Sequence, residues 1–164
     1  MSGKDFGIWE GEKTIDLPQE TEAGLYFIGR IHTPWKERKD CPKNARESEA
    51  VCTVEVDPRW REALKDVETC THIVLLYWMD RSPRNLVLQV PGHLGIQRGT
   101  FALRSCPPQP DRHERGQIVA CRRQPALSRW ARLPGWHALL DIKPYFASTD
   151  SVPEATVGWH KRKD

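Results

Sequence analysis

The sequence predicts a mostly-β fold: a single small β-barrel domain with one short helix and polar loops. Three observations predict it. Five or more short stretches rich in β-branched, aromatic and aliphatic residues are each stopped by Pro, Gly, Asp or Arg, which is the punctuation of strands. Only one strong helix-start signal occurs among them. The 164 residues match the usual size of one domain.

The elements follow in chain order. Residues 1–23 are polar and broken by Gly7, Gly11 and Pro18, and read as an N-terminal tail. Leu25 to Ile31 forms the first strand, before a turn at Thr33-Pro34. Residues 35–50 are dominated by Lys, Arg, Glu and Asp. They make a long polar loop of the kind that carries function. Val51 to Val56 alternates with period two, as a half-buried strand does. Asp57-Pro58 supplies an N-cap followed by proline at N1, opening a short helix over Arg59 to Val67 with Trp60, Leu64 and Val67 on one face. His72 to Met79 is almost continuously apolar, a central strand ending at Asp80-Arg81. Shorter strands follow at Leu86 to Val90, Gly99 to Leu103 and Leu139 to Ile142. Residues 152–164 end in His160-Lys161-Arg162-Lys163, a basic C-terminal tail whose ordinary reading is a solvated end.

Composition narrows the classes. Lys and Arg number 25 against 22 Asp and Glu, a charge of +3, too mild to announce a nucleic-acid binder. No apolar run nears the roughly 20 residues of a membrane span, and the polar start Met1 to Asp5 does not read as a secretory signal. The five Cys form no Cys-x-x-Cys pair and fit no zinc spacing, so reduced thiols in a cytoplasmic protein are expected and no metal site. Gly-rich phosphate loops, Gly-x-Ser-x-Gly and His-Glu-x-x-His are all absent. Asp80-Arg81 can bind a polar ligand or make a surface ion pair. Arg104 can clamp an anion or lie in solvent. Tyr77-Trp78 can face a cation or fill the core. In each case the second, ordinary reading leads when only residue types are weighed.

Several segments then resemble one family. Ile28-Gly29-Arg30-Ile31-His32-Thr33-Pro34-Trp35-Lys36 is similar to the opening motif of the TsaA-like (TrmO-type) proteins. Asp40-Cys41-Pro42-Lys43-Asn44 resembles their Pro-[Arg/Lys]-[Gln/Asn] loop, and Leu75 to Asp80 their central strand, with Asp80 where a His is usual. Gly99 to Ser105 resembles Gly-x-Phe-Ala-[Thr/Leu]-Arg-Ser, and Leu140-Asp141-Ile142-Lys143-Pro144-Tyr145 matches Leu-Asp-Ile-Lys-Pro-Tyr. The likeness runs over residues 25–151, within a domain of 24–151. It implies a single-barrel, usually homodimeric, S-adenosyl-L-methionine-dependent methyltransferase acting on N6 of threonylcarbamoyladenosine at tRNA position 37. The implied cofactor-binding residues are Pro42, Lys43, Asn44, Asp80, Arg81 and Arg104, and no catalytic residue is implied. Methyl transfer from a sulfonium needs mainly in-line alignment. The implied partners are tRNA and a second copy, with no membrane. The alternatives are an inactive remnant of this family and a non-catalytic RNA- or metabolite-binding barrel.

One segment departs from the resemblance. After Ser105 the family reads Pro-x-Arg-Pro-Asn-Pro-Ile-Gly, whereas residues 106–138 are rich in Arg, Pro, Cys and Trp with little strand pattern. Gln109-Pro110-Asp111-Arg112 written CAA CCC GAT CGG reads, one base on, as Asn-Pro-Ile-Gly. His113 to Gly116 then becomes Thr-Ser-Val-Val. In the same frame Leu133 to Ala138 contains Leu-Asp-Gly-Thr-Pro. Residues 106–138 therefore read as an out-of-frame stretch, with a divergent insertion-like loop as the alternative, and are expected to lack a core strand and to pack poorly.

Overall fold

The computed structural model describes residues 8, 10–14, 16, 23–42, 50–92, 95–103, 111–121, 125–128 and 135–159, the segments 111–121 and 125–128 as backbone. The strands are β1 (Lys13–Thr14), β2 (Gly29–His32), β3 (Val51–Val56), β4 (His72–Trp78), β5 (Leu86–Gln89), β6 (Arg98–Gly99), β7 (Asp111–Cys121), β8 (Pro125–Ser128) and β9 (Trp136–Pro144). A four-residue helix, α1 (Ala147–Asp150), follows. Six strands close into an antiparallel barrel in the order β2-β3-β8-β7-β4-β9, and β1, β5 and β6 form a small separate sheet.

Period-two alternation explains the barrel. Ile31, Cys52, Val54, Val56, Ile73, Leu75, Tyr77 and Leu139 are buried and form its core, while the residues between them face outward. The closing β2–β9 pair sets Gly29 opposite Leu139 and Ile31 opposite His137. Tyr77 meets the His137 ring at 6.0 Å, so the core carries one polar pair among aliphatic side chains. Gly29 is required by close approach: a Cβ there would overlap the Glu55 carbonyl oxygen on the neighbouring strand.

Four expectations change. The segment after Asp57 is not an α-helix but two 3-10 turns, Pro58–Leu64 and Val67–Thr69. The Asp57 side chain caps the first by accepting from Arg59 N at 2.9 Å, so the start signal was real. Gly99 to Leu103 is not a strand. Arg98–Gly99 pairs briefly with β5, and Thr100–Ala102 then turns as a 3-10 helix, held by Thr100 Oγ1 donating to Leu86 O at 2.9 Å. Part of the predicted tail is structured: Lys13–Thr14 adds to β5, and Glu12 Oε1 accepts from Val90 N at 3.3 Å.

The fourth change concerns residues 106–138. Their backbone supplies β7, β8 and the start of β9, and β7 pairs with β4 over seven rungs from His72↔Gln117 to Trp78↔Asp111. The expectation of a missing core strand is corrected at the level of the backbone. Ladder hydrogen bonds use main-chain groups, and the facing edges of β3 and β4 need a partner whatever side chains it carries. The rungs of the buried Ile73, Leu75 and Tyr77 fall opposite Gly116, Glu114 and Arg112.

Candidate functional site

Antiparallel register assembles the candidate site on the outside of the barrel wall. One row runs Glu55–Arg30–Ala138–Trp78 across β3, β2, β9 and β4. Each belongs to the outward half of its strand's alternation, so the row forms the floor of a groove of about 590 Å³. Phe27 and Gly29 add the entry to β2, Asp57 and Pro58 the exit of β3, Asp80 the exit of β4, and Trp136 the start of β9.

The groove is aromatic and charged together. Phe27 and Trp78 stand 6.3 Å apart between ring centroids, inclined at 58°. The Arg30 guanidinium carbon lies 4.9 Å from the Trp136 ring centre, and that of Arg84 lies 5.8 Å from Trp78. Two of the carboxylates on the wall are engaged by neighbours. Glu55 Oε2 lies 2.7 Å from His32 Nε2. Asp57 accepts from Arg59 Nε and Nη2, each at 3.0 Å. The Arg59 side-chain hydrogen bonds, with its backbone N–H, hold the Asp57 carboxyl below the usual carboxylate range, and the same bonds raise Arg59.

Among the described lining residues there is no Ser, Cys, His or Lys. The groove therefore offers stacking, charge and hydrogen bonding, and the side chains in it that can act as nucleophiles are the carboxylates of Glu55, Asp57 and Asp80. It suits a ligand that carries its own reactivity.

Of the six residues singled out in the sequence, Asp80 lines this groove at the end of β4 and is exposed. Arg81 follows it, exposed on the turn beyond, and Pro42 is half-buried; neither is among the lining residues. Lys43, Asn44 and Arg104 lie outside the described residues. Sequence reasoning missed Phe27, Arg30, Asp57 and Trp136. Arg30 was detectable, as the outward position between Gly29 and Ile31. Trp136 was not, since nothing around it alternates.

A closed antiparallel barrel with an aromatic, charged groove on its outer wall defines a small ligand-binding β-barrel. Residues 30–114 match the tRNA-methyltransferase O N-terminal domain, and this chain belongs to that family. The crystal structure of TrmO from Pseudomonas aeruginosa superposes with a TM-score of 0.72 at 26% identity, over 89% of this chain and 65% of that one. The probable S-adenosyl-L-methionine-binding protein VirR of Rhizobium radiobacter is 43% identical over 57% of this chain and 54% of its own length. A probable S-adenosyl-L-methionine-binding protein of Archaeoglobus fulgidus is 36% identical over 82% of this chain and 37% of its own. The chain thus spans about half or less of these two relatives, and just under two thirds of the solved protein.

Proposed function

We propose that this chain binds S-adenosyl-L-methionine at the Asp80 end of the groove and directs its methyl group to N6 of threonylcarbamoyladenosine in tRNA. The observation that carries the reading is the position of Asp80. Chosen from the sequence for its resemblance, it stands on the wall of the groove, next to an apolar floor of Trp78 and Ala138. The donor set fits such a ligand. The Asp80 carboxylate can accept from ammonium or ribose hydroxyl groups, and the resemblance implies Arg81 and Arg104 for the carboxylate. The resemblance implies Pro42, Lys43 and Asn44 as further contacts. The groove volume falls within the range of small-molecule sites. The bound sulfonium supplies an already activated methyl, so the protein's task is to hold two partners in line and exclude water. That agrees with a lining that has no Ser, Cys, His or Lys among the described residues.

Calorimetric titration with S-adenosyl-L-methionine tests the reading, followed by methyl transfer to tRNA with and without the threonylcarbamoyl group. Binding weakened by Asp80→Ala, with transfer only to the modified tRNA, is the expected result. A chain that does not bind S-adenosyl-L-methionine overturns it.

A second reading, an inactive remnant of the family, is favoured by the rungs of β7. Two charged residues, Glu114 and Arg112, stand in register with the core residues Leu75 and Tyr77. On that reading residues 106–138 are translated out of frame, and the barrel is maintained without the selected sequence of one wall.

A further inference from the structure

The groove is acidic, and its charge and its rings are distributed unevenly. Among the described lining residues the carboxylates of Glu55, Asp57 and Asp80 stand against the guanidinium of Arg30. Glu55 is paired with His32 and Asp57 with Arg59, whereas no described residue forms an ion pair with the exposed Asp80. The rings divide in the same way. The Arg30 guanidinium lies 4.9 Å from the Trp136 ring centre, so that end of the groove holds a cation of the protein's own. At the other end the Phe27 and Trp78 rings, 6.3 Å apart and inclined at 58°, make a corner rather than a parallel stack. Phe27 is 45% exposed, and no cation among the described residues lies against it. Trp78 takes the Arg84 guanidinium at 5.8 Å. Arg84 is not among the lining residues, so the Trp78 surface that lines the groove is additional to that contact.

Aromatic faces in an acidic groove suit a cation that cannot donate a hydrogen bond. A sulfonium carries no N–H or O–H, so charge and π surface are the means of recognising it. We propose that the Phe27–Trp78 corner reads the sulfonium charge of S-adenosyl-L-methionine and so separates the donor from its demethylated product, S-adenosyl-L-homocysteine. The two molecules share adenine, ribose and the amino-acid group. They differ in one methyl and in the charge on sulfur, which is a neutral thioether in the product. Contacts to the shared groups, Asp80 among them, hold both alike. The ring corner favours the charged molecule, so the spent product leaves more readily than the donor. This rests on the methyltransferase reading, to which it adds the residues that set donor specificity.

Calorimetric titration of the whole chain with each of the two molecules tests the corner, with a thermal melt of every variant. The parent should bind S-adenosyl-L-methionine about fivefold or more tighter than S-adenosyl-L-homocysteine, within the roughly 2- to 30-fold that one cation–π contact supplies. Phe27→Leu keeps an apolar side chain at an exposed position and should fold. It should remove most of the preference by weakening S-adenosyl-L-methionine alone, and Phe27→Tyr should keep it. Trp78→Leu should also lower the ratio of the two affinities, which does not depend on the folded fraction. Asp80→Ala is the contrast, weakening both molecules alike. Equal affinity of the parent for the two molecules overturns the corner and leaves the methyltransferase reading standing. A ratio unchanged in both ring variants does the same. So does an equal loss of both molecules in those variants, which assigns the rings to the adenine. A parent that binds neither molecule overturns the corner and the methyltransferase reading together.

Discussion

Replacing Gly29 with Ala tests whether the β2–β3 approach sets the groove. The added methyl carbon overlaps the Glu55 carbonyl oxygen and comes within 2.9 Å of Val56 Cα and 3.0 Å of Glu55 C. All three obstacles are backbone, so no side chain can rotate away and the strands must separate. Ile28, next to Gly29, is tied to both neighbouring segments: its N donates to Leu139 O at 2.8 Å and its O accepts from Asp57 N at 2.9 Å. Separation therefore strains both neighbours of β2. Overpacking of this kind costs about 1–3 kcal/mol, and an unyielding backbone obstacle argues for about 2–3. For a chain of this size that lowers the melting temperature by roughly 4–12 °C. The groove should loosen as well, because Glu55 and Asp57 ride on the displaced strand. Thermal melting beside Gly24→Ala, where a Cβ meets nothing within 4 Å, isolates the effect from a generic glycine replacement. A Gly29→Ala protein that melts within a degree or two of the Gly24→Ala control would refute the argument.

Other outcomes follow from single contacts. Arg59 holds the Asp57 carboxyl below its ordinary range, so the stabilisation this pair provides is present above the ordinary Asp pKa and lost as pH falls through the depressed one. Melts taken across the acid range should show that loss in the parent and not in Asp57→Asn. Leu139→Ala empties a fully buried position, and denaturant unfolding should register a loss of about 2–5 kcal/mol. Arg104→Ala should weaken S-adenosyl-L-methionine binding by roughly 1.5–3 kcal/mol, the range for a hydrogen bond to a charged group, read by calorimetry.

The sequence carried the fold wherever burial alternates. Val51–Val56 was legible to the residue because its even positions are buried and its odd ones are not. The apolar run at His72 was legible because both faces of β4 are covered to some degree. Gly99 to Leu103 misled because strand-forming residue types there serve a turn fixed by a distant acceptor, Leu86 O. The 3-10 turns after Asp57 carry the same N-cap as an α-helix, and the cap alone does not choose between the two helix types. Asp80 was singled out by the family resemblance and not by its residue type or its place at a strand end, and the structure sets it on the groove wall. Phe27 and Asp57 become groove residues only through pairing across strands far apart in the chain, which no local pattern reports.

The β7 register bears on whether residues 106–138 were selected for this barrel, and it makes the frame proposal testable. At the rungs of Ile73, Leu75 and Tyr77 this chain has Gly116, Glu114 and Arg112. The shifted frame gives Val, Ser and Gly at those rungs, and so removes both charges from positions opposite the core. It also replaces His137, 7% exposed among aliphatic residues, with Thr, the smaller polar group. Charged residues are costly wherever they are buried without partners, and ladder hydrogen bonds alone do little to offset the entropy of ordering a strand. Backbone amides of 111–121 should therefore exchange much faster than those of β4, and protease should cut this stretch first. A variant restoring Asn-Pro-Ile-Gly and Asp-Gly-Thr-Pro should gain a sharper melt and tighter S-adenosyl-L-methionine binding together. A peptide containing His113-Glu114-Arg115 in the mass spectrum of the natural protein would establish that the out-of-frame stretch is itself translated. If that same chain melts cooperatively with 111–121 as protected as β4, these residues are a selected wall of the barrel and the frame proposal fails.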